Sequence, residues 1–200
     1  MNSDMKKLLI MLVLGVVISL QASAQESRVT LSYPVGFAIG DLSDYVKPTS
    51  FRGIAIDYRK MISENVGVGL STGWNVFYEE LAYDTYHFEN QSVSGKQYRY
   101  SNHVPVLFNA AYYFKPRAAV NPFASVGIGT IYTRRNTDMG QFTLEQEAWN
   151  FALAPEVGML IDVANSFATS VSIQYYNGFQ AGNELNEPQS YFALKLGFEL

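Results

Sequence analysis

Two hundred residues are enough for one domain with a sizeable core. The formal net charge of −4 excludes the basic face that nucleic-acid binding needs. The lack of cysteine excludes disulfides, thiolate metal sites, a cysteine nucleophile and a lipidated N-terminal cysteine. Charged residues make up only 16% of the chain, against about 25% in a typical soluble domain, while Tyr and Phe number 14 and 13.

The chain opens with a leader pattern. Lys6 and Lys7 precede an apolar run from Leu8 to Leu20, and Ala22, Ser23 and Ala24 form a small-residue cleavage site before Gln25. The run is short of the ~20 residues that a spanning helix needs. Residues 1–24 therefore read as a cleaved secretory signal peptide and 25–200 as the mature domain. No later run is long and apolar enough for a transmembrane helix.

The mature chain alternates with period two, the signature of strands. In strand one Leu31, Tyr33, Val35, Phe37 and Ile39 share a face, opposite Ser32, Pro34, Gly36, Ala38 and Gly40. After a polar loop at 41–50, strand two sets Ile54, Ile56 and Tyr58 against Ala55, Asp57 and Arg59. Strand three sets Val66, Val68, Leu70, Trp74 and Val76 against Gly67, Gly69, Ser71, Gly73 and Asn75. The longest loop is expected at 79–97. Strand four, from about Tyr98, shows Val104, Val106, Phe108, Ala110, Tyr112 and Phe114 on one face. Strand five sets Val126, Ile128, Thr130 and Tyr132 against Ser125, Gly127, Gly129 and Thr133, and a polar loop is expected at 134–145. Strand six sets Trp149, Phe151, Leu153, Val157, Met159 and Ile161 against Asn150, Ala152, Ala154, Glu156 and Gly158. Strand seven sets Phe167, Thr169, Val171, Ile173 and Tyr175 against Ala168, Ser170, Ser172, Gln174 and Tyr176. After a loop at 177–188, strand eight sets Phe192, Leu194, Leu196, Phe198 and Leu200 against Tyr191, Ala193, Lys195, Gly197 and Glu199.

Eight strands of about ten residues match the ~9 to 11 needed to cross a bilayer at a tilt. The connections alternate long and short, as in an antiparallel up-and-down transmembrane β-barrel with short turns at one end and longer loops at the other. Aromatic rings are expected at both strand ends: Tyr112, Phe114, Phe123, Phe167 and Phe198 near the short turns, and Trp74, Tyr78, Tyr132, Trp149 and Tyr175 near the long loops. A soluble barrel also alternates, with its polar set in water. Here the polar set is mostly Gly, Ala and Ser, a poor solubilising surface but a suitable filling for a narrow lumen.

Inside such a lumen Asp57, Arg59, Glu156 and Lys195 must pair, since buried charge is costly alone. Asn109, Gln174 and Tyr176 join them as a polar network. That network reads either as a plug or as an ion or proton path. Pro34, Pro105 and Pro155 each remove a ladder donor and are expected to bulge the wall, with or without a side opening. His87, with Tyr83, Asp84, Tyr86 and Glu89, could form a surface metal or ligand patch, although a solvated loop accounts for it. His103 lies two residues after Ser101, which on a strand does not make a catalytic dyad. No metal or cofactor is expected.

The leader ending Ser-Ala-Gln, the Gly-alternating strands and the terminal YFALKLGFEL resemble the small outer-membrane β-barrel proteins of Gram-negative bacteria, similar to OmpX, OmpW and the transmembrane domain of OmpA. The resemblance implies an integral outer-membrane protein with both termini periplasmic, in contact with outer-membrane lipid and lipopolysaccharide. It also implies periplasmic chaperones and the barrel-assembly machinery as partners in biogenesis. That machinery reads a closing strand ending in an aromatic residue, here Phe192, Leu194, Leu196, Phe198 and Leu200, with Leu at the last position. Function is left between a non-enzymatic barrel presenting external loops, a porin-like narrow channel or transporter for small or apolar solutes, and a disfavoured lipid-modifying enzyme. The external ligand is unknown.

Overall fold

The computed structural model describes residues 27–88, 91–164, 167–180 and 185–199. The expected leader at 1–24 and Leu200 of the closing strand lie outside them. Among the described residues eight strands form a closed barrel: β1 (Ser27–Ile39), β2 (Gly53–Met61), β3 (Val66–Phe88), β4 (Gln91–Tyr113), β5 (Val120–Met139), β6 (Phe142–Ala164), β7 (Phe167–Gly178) and β8 (Gln189–Glu199). Each strand pairs antiparallel with its neighbours, and β1 meets β8 from Thr30↔Glu199 to Ile39↔Ser190. Closure leaves no strand edge, so backbone polar groups along the wall find partners without water.

The facing follows the period-two pattern. Leu31, Ile54, Leu70, Phe108, Ile128, Phe151, Ile173 and Phe198 are exposed on the outside. Ser32, Ala55, Asn109, Ser125, Ala152, Gln174 and Lys195 are buried inside. Phe123 departs from the expected aromatic ring. It shares the parity of Ser125 and Gly127, so it points inward, where it is 4% exposed. Small residues on the inner face are a steric requirement as well as a filling. A Cβ on Gly197 would lie 2.4 Å from Ser32 Oγ and 2.6 Å from Ser170 Oγ, because β1, β7 and β8 coil tightly there.

Two expected loops are strands instead. β3 and β4 stay paired from Val66↔Tyr112 to Phe88↔Gln91, with one irregularity between Leu81 and Asp84. β5 and β6 stay paired to Met139↔Phe142. The second ribbon turns through Gly140, whose φ of 60° suits glycine. The contrast that marks a strand fades here for two reasons: 82–85 and 142–145 are exposed on both faces, and the buried inner face of β5 carries polar Arg135 and Thr137 where apolar residues would mark a core. The length asymmetry between the two barrel ends therefore lies partly in these ribbons and partly in the β1–β2 and β7–β8 connections. The stretch at 41–50, expected as a polar loop, also holds a short helix, α1 (Asp41–Tyr45).

The prolines interrupt ladders but do not produce the expected bulges at two of three sites. β3–β4 pairing skips from Thr72↔Val106 to Asn75↔His103 around Pro105, and β6–β7 pairing skips from Leu153↔Asn177 to Glu156↔Gln174 around Pro155. Both resume in the same register. At Pro34 the β1–β2 ladder ends at Ser32↔Ala55, and beyond it only the bridge Gly36↔Ser50 remains, shifted by one residue.

Candidate functional site in the barrel lumen

β2, β6 and β8 each send charge to the middle of the lumen. Lys195 Nζ donates to Asp57 Oδ2 at 2.9 Å and to Gln174 Oε1 at 3.0 Å, and lies 3.1 Å from Glu156 Oε1. Arg59 Nη2 donates to Glu156 Oε2 at 2.9 Å and lies 3.6 Å from Asp57 Oδ1. Ser125 and Ser172 donate to the two Glu156 oxygens at 2.9 and 2.7 Å. Two cations and two anions, each with a side chain no more than 4% exposed, thus form a closed, neutral quartet. Alternating signs and charge-assisted bonds offset the desolvation that any single buried charge would suffer.

Of the residues expected in this network, Asp57, Arg59, Glu156, Gln174 and Lys195 are joined, and Tyr176 donates to Gln174 Oε1 at 2.7 Å. Asn109 is buried but stands apart, with no hydrogen-bond partner for either amide atom. Phe192, Leu194, Leu196 and Phe198 line the outer face of β8, opposite Lys195.

Apolar and aromatic layers flank the quartet. Towards the ribbon end lie Phe77, Leu107, Ile131, Tyr176 and Tyr191, with Tyr176 and Tyr191 stacked at 4.6 Å. Towards the turn end lie Met61, Ala111, Tyr113, Phe123 and Leu160. The Arg59 guanidinium covers the Phe123 ring at 5.3 Å, a favourable contact for an aromatic face.

The mouth at the ribbon end holds residues that sequence reading missed. α1 folds inward with Leu42 fully buried, followed by fully buried Val46. Tyr45 bonds to Asn136 O at 2.9 Å and to Thr137 Oγ1 at 2.8 Å, and burial raises the pKa of its hydroxyl above the usual value. Arg99 Nη1 donates to Tyr45 O at 2.9 Å. Arg135 packs over the Tyr45 ring at 4.5 Å and bonds to Glu187 at 2.9 Å and Gln189 at 3.0 Å, so one side chain ties the β1–β2 loop to the β7–β8 loop. Arg135 was hidden by placing 134–145 in a loop; continuing the inward parity of Thr133 by one step finds it.

Ser101 and His103 are hydrogen-bonded at 2.9 Å, with Thr133 3.3 Å from the other ring nitrogen. All three are fully buried, and Phe77 and Tyr191 pack on the imidazole. The couple has the parts of a dyad and no exposure to a substrate. The side chains of His87 and Glu89 lie outside the described residues, while Tyr83 and Asp84 are exposed. Among the described residues no group of three or more His, Asp or Glu is placed to hold a metal.

A closed antiparallel barrel with an apolar outer belt, paired charges within and longer ribbons at one end is an integral outer-membrane β-barrel. The chain belongs to the outer membrane protein beta-barrel domain family, whose model matches residues 9–198. This places it in the outer membrane of a Gram-negative bacterium. Its fold is similar to Neisserial surface protein A (14% identity, 89% of this chain and 99% of that one, TM-score 0.57). It is also similar to Ail of Yersinia pestis crystallised with the heparin analogue sucrose octasulfate (14%, 89% and 100%, 0.53) and to OprG of Pseudomonas aeruginosa (12%, 87% and 95%, 0.51). No curated protein matches by sequence.

Proposed function

We propose that this chain is a non-enzymatic outer-membrane barrel with a plugged lumen that works through its external ribbons, in surface interaction or envelope integrity. In this reading the short turns and both termini are periplasmic. The observation that carries it is the neutral Asp57–Arg59–Glu156–Lys195 quartet, buried between two apolar layers, which supports a lumen filled by side chains. Purified protein in planar bilayers is expected to show no stable conductance; a reproducible unitary conductance, lost or altered in Lys195→Met, overturns the plug.

The external face differs from what a sulfated polysaccharide needs. Exposed Asp41, Asp44, Glu80, Asp84, Glu145 and Glu147 outweigh exposed Lys47, Arg52, Lys96 and Arg134, so a cationic partner fits better than the polyanion bound by Ail. Arg134 lies two residues beyond Tyr132 of the aromatic belt formed with Trp74 and Trp149, a height suited to lipopolysaccharide phosphates. The outward face of β8, Phe192 to Phe198, serves as the signal to the barrel-assembly machinery, after chaperone-assisted transit.

The ladder gaps at Pro34, Pro105 and Pro155 favour a second reading, passage of small apolar solutes through the wall. Solute uptake by proteoliposomes separates it from the first. Lipid turnover by pure protein would reverse the non-enzymatic reading, which rests on the burial of Ser101 and His103.

A further inference from the structure

Asn109 is 7% exposed, and neither its Oδ1 nor its Nδ2 meets a hydrogen-bond partner in the protein. The pairing explains this: its neighbours on both flanking strands are glycines, Gly69 and Gly127, so neither strand offers it a side chain. Of the other buried atoms that share the condition, three belong to residues close to Asn109 in the register, Asp57 Oδ1, Arg59 Nε and Ser71 Oγ. The register brings their residues together on the inner wall, with Asp57 opposite Ser71, Arg59 opposite Gly69 and Gly69 opposite Asn109.

The five atoms are mixed in kind. Asn109 Nδ2 and Arg59 Nε donate, Asp57 Oδ1 and Asn109 Oδ1 accept, and the Ser71 hydroxyl does both. An anion here would meet the Asp57 carboxylate, and a cation would meet the Arg59 guanidinium. A small neutral molecule that both donates and accepts satisfies every atom, and buried polar groups are almost always satisfied.

We propose that the inner wall of β2, β3 and β4 carries a binding site for ordered water centred on Asn109. Five atoms at about three hydrogen bonds per buried water call for on the order of two molecules. The site completes the quartet, because Asp57 gives Oδ2 to Lys195 and Arg59 gives Nη2 to Glu156. Asp57 Oδ1, 3.6 Å from Arg59 Nη2, and Arg59 Nε are the atoms of this pair left without a hydrogen bond. The proposal holds whether or not the lumen conducts.

The test uses the folded barrel in detergent micelles with 15N-labelled asparagine side chains, with water as the probe. Nuclear Overhauser cross-peaks are expected between water and the Asn109 side-chain amide; their absence overturns the proposal. Asn109→Leu then gives a sign. A hydrated site loses water and leaves Ser71, Asp57 and Arg59 unsatisfied, so the midpoint of heat-induced gel shift falls by several degrees. A dry site only loses two unsatisfied amide atoms, so an unchanged or raised midpoint overturns the proposal. If Asn109→Leu does not fold, the wild-type cross-peaks decide alone.

Discussion

Lys195 Nζ and Asp57 Oδ2 lie 2.9 Å apart inside the lumen although 138 positions separate them in the chain. Neither residue touches the other's strand through the sheet: β8 pairs with β1 and β7, and β2 pairs with β1 and β3. The contact exists because the β1–β8 seam closes the sheet: β2 and β8 flank β1, and their inward side chains meet over its inner face.

Lys195→Met removes one cation and leaves two buried carboxylates to one arginine. Breaking a buried pair in this way costs about 3 to 5 kcal/mol, read as a lower urea midpoint in the gel-mobility assay for folded barrel. The double variant Lys195→Met, Asp57→Asn restores neutrality and is expected to recover part of the loss. No recovery would mean that the quartet is not an electrostatic unit.

Ile128→Arg and Gly129→Ala test the facing of β5 with adjacent residues. Ile128 is 50% exposed on the outer belt, and arginine at that depth costs about 2 to 4 kcal/mol in lipid. At Gly129 a Cβ would lie 2.3 Å from Val106 O. Its cost therefore comes from pushing β4 backbone away and not from crowding lumen side chains. The first penalty should shrink in detergent with a flexible polar layer, while the second should persist in any solvent.

Arg135→Ala removes the link between the β1–β2 and β7–β8 loops. The loss of the Tyr45 stack and the Glu187 and Gln189 bonds is expected to expose both loops to limited proteolysis, with cleavage at 41–52 and 179–188 before the barrel itself. The gel-shift midpoint should barely move, since the strands keep their pairing. Equal protease resistance in wild type and variant would refute the tie.

Glu199→Gln weakens the closing seam. Glu199 accepts from Arg28 at 2.9 Å and from Thr30 at 3.2 Å, both on β1. A hydrogen bond to a charged group contributes about 1.5 to 3 kcal/mol, so the variant should unfold at lower urea, and its unfolding should begin with hydrogen exchange at β1 and β8. Exchange beginning elsewhere would show that the seam is not the weak edge.

Much of this molecule is legible in residue order. Inward and outward sets on all eight strands follow from strict alternation, because a one-residue slip would place Lys195 in lipid and Phe198 in the lumen. The same alternation identified Asp57, Arg59, Glu156 and Lys195 as groups that must meet. Phe123 was misplaced only where ring position outweighed its own parity with Ser125. The ribbons at 79–97 and 134–145 were misread as loops, since exposure of both faces over 82–85 and 142–145, and buried polar Arg135 and Thr137 on β5, remove the apolar contrast that alternation needs.

Sequence by itself determined the barrel, its facing and the closing role of YFALKLGFEL, since one apolar face on each strand demands lipid and the other demands a lumen. Only the tertiary structure decided who pairs with whom inside it. Strand tilt and stagger set which inward side chains share a level, and that geometry places Lys195 on Asp57 and Glu156, Arg135 between two loops, and Asn109 between two glycines.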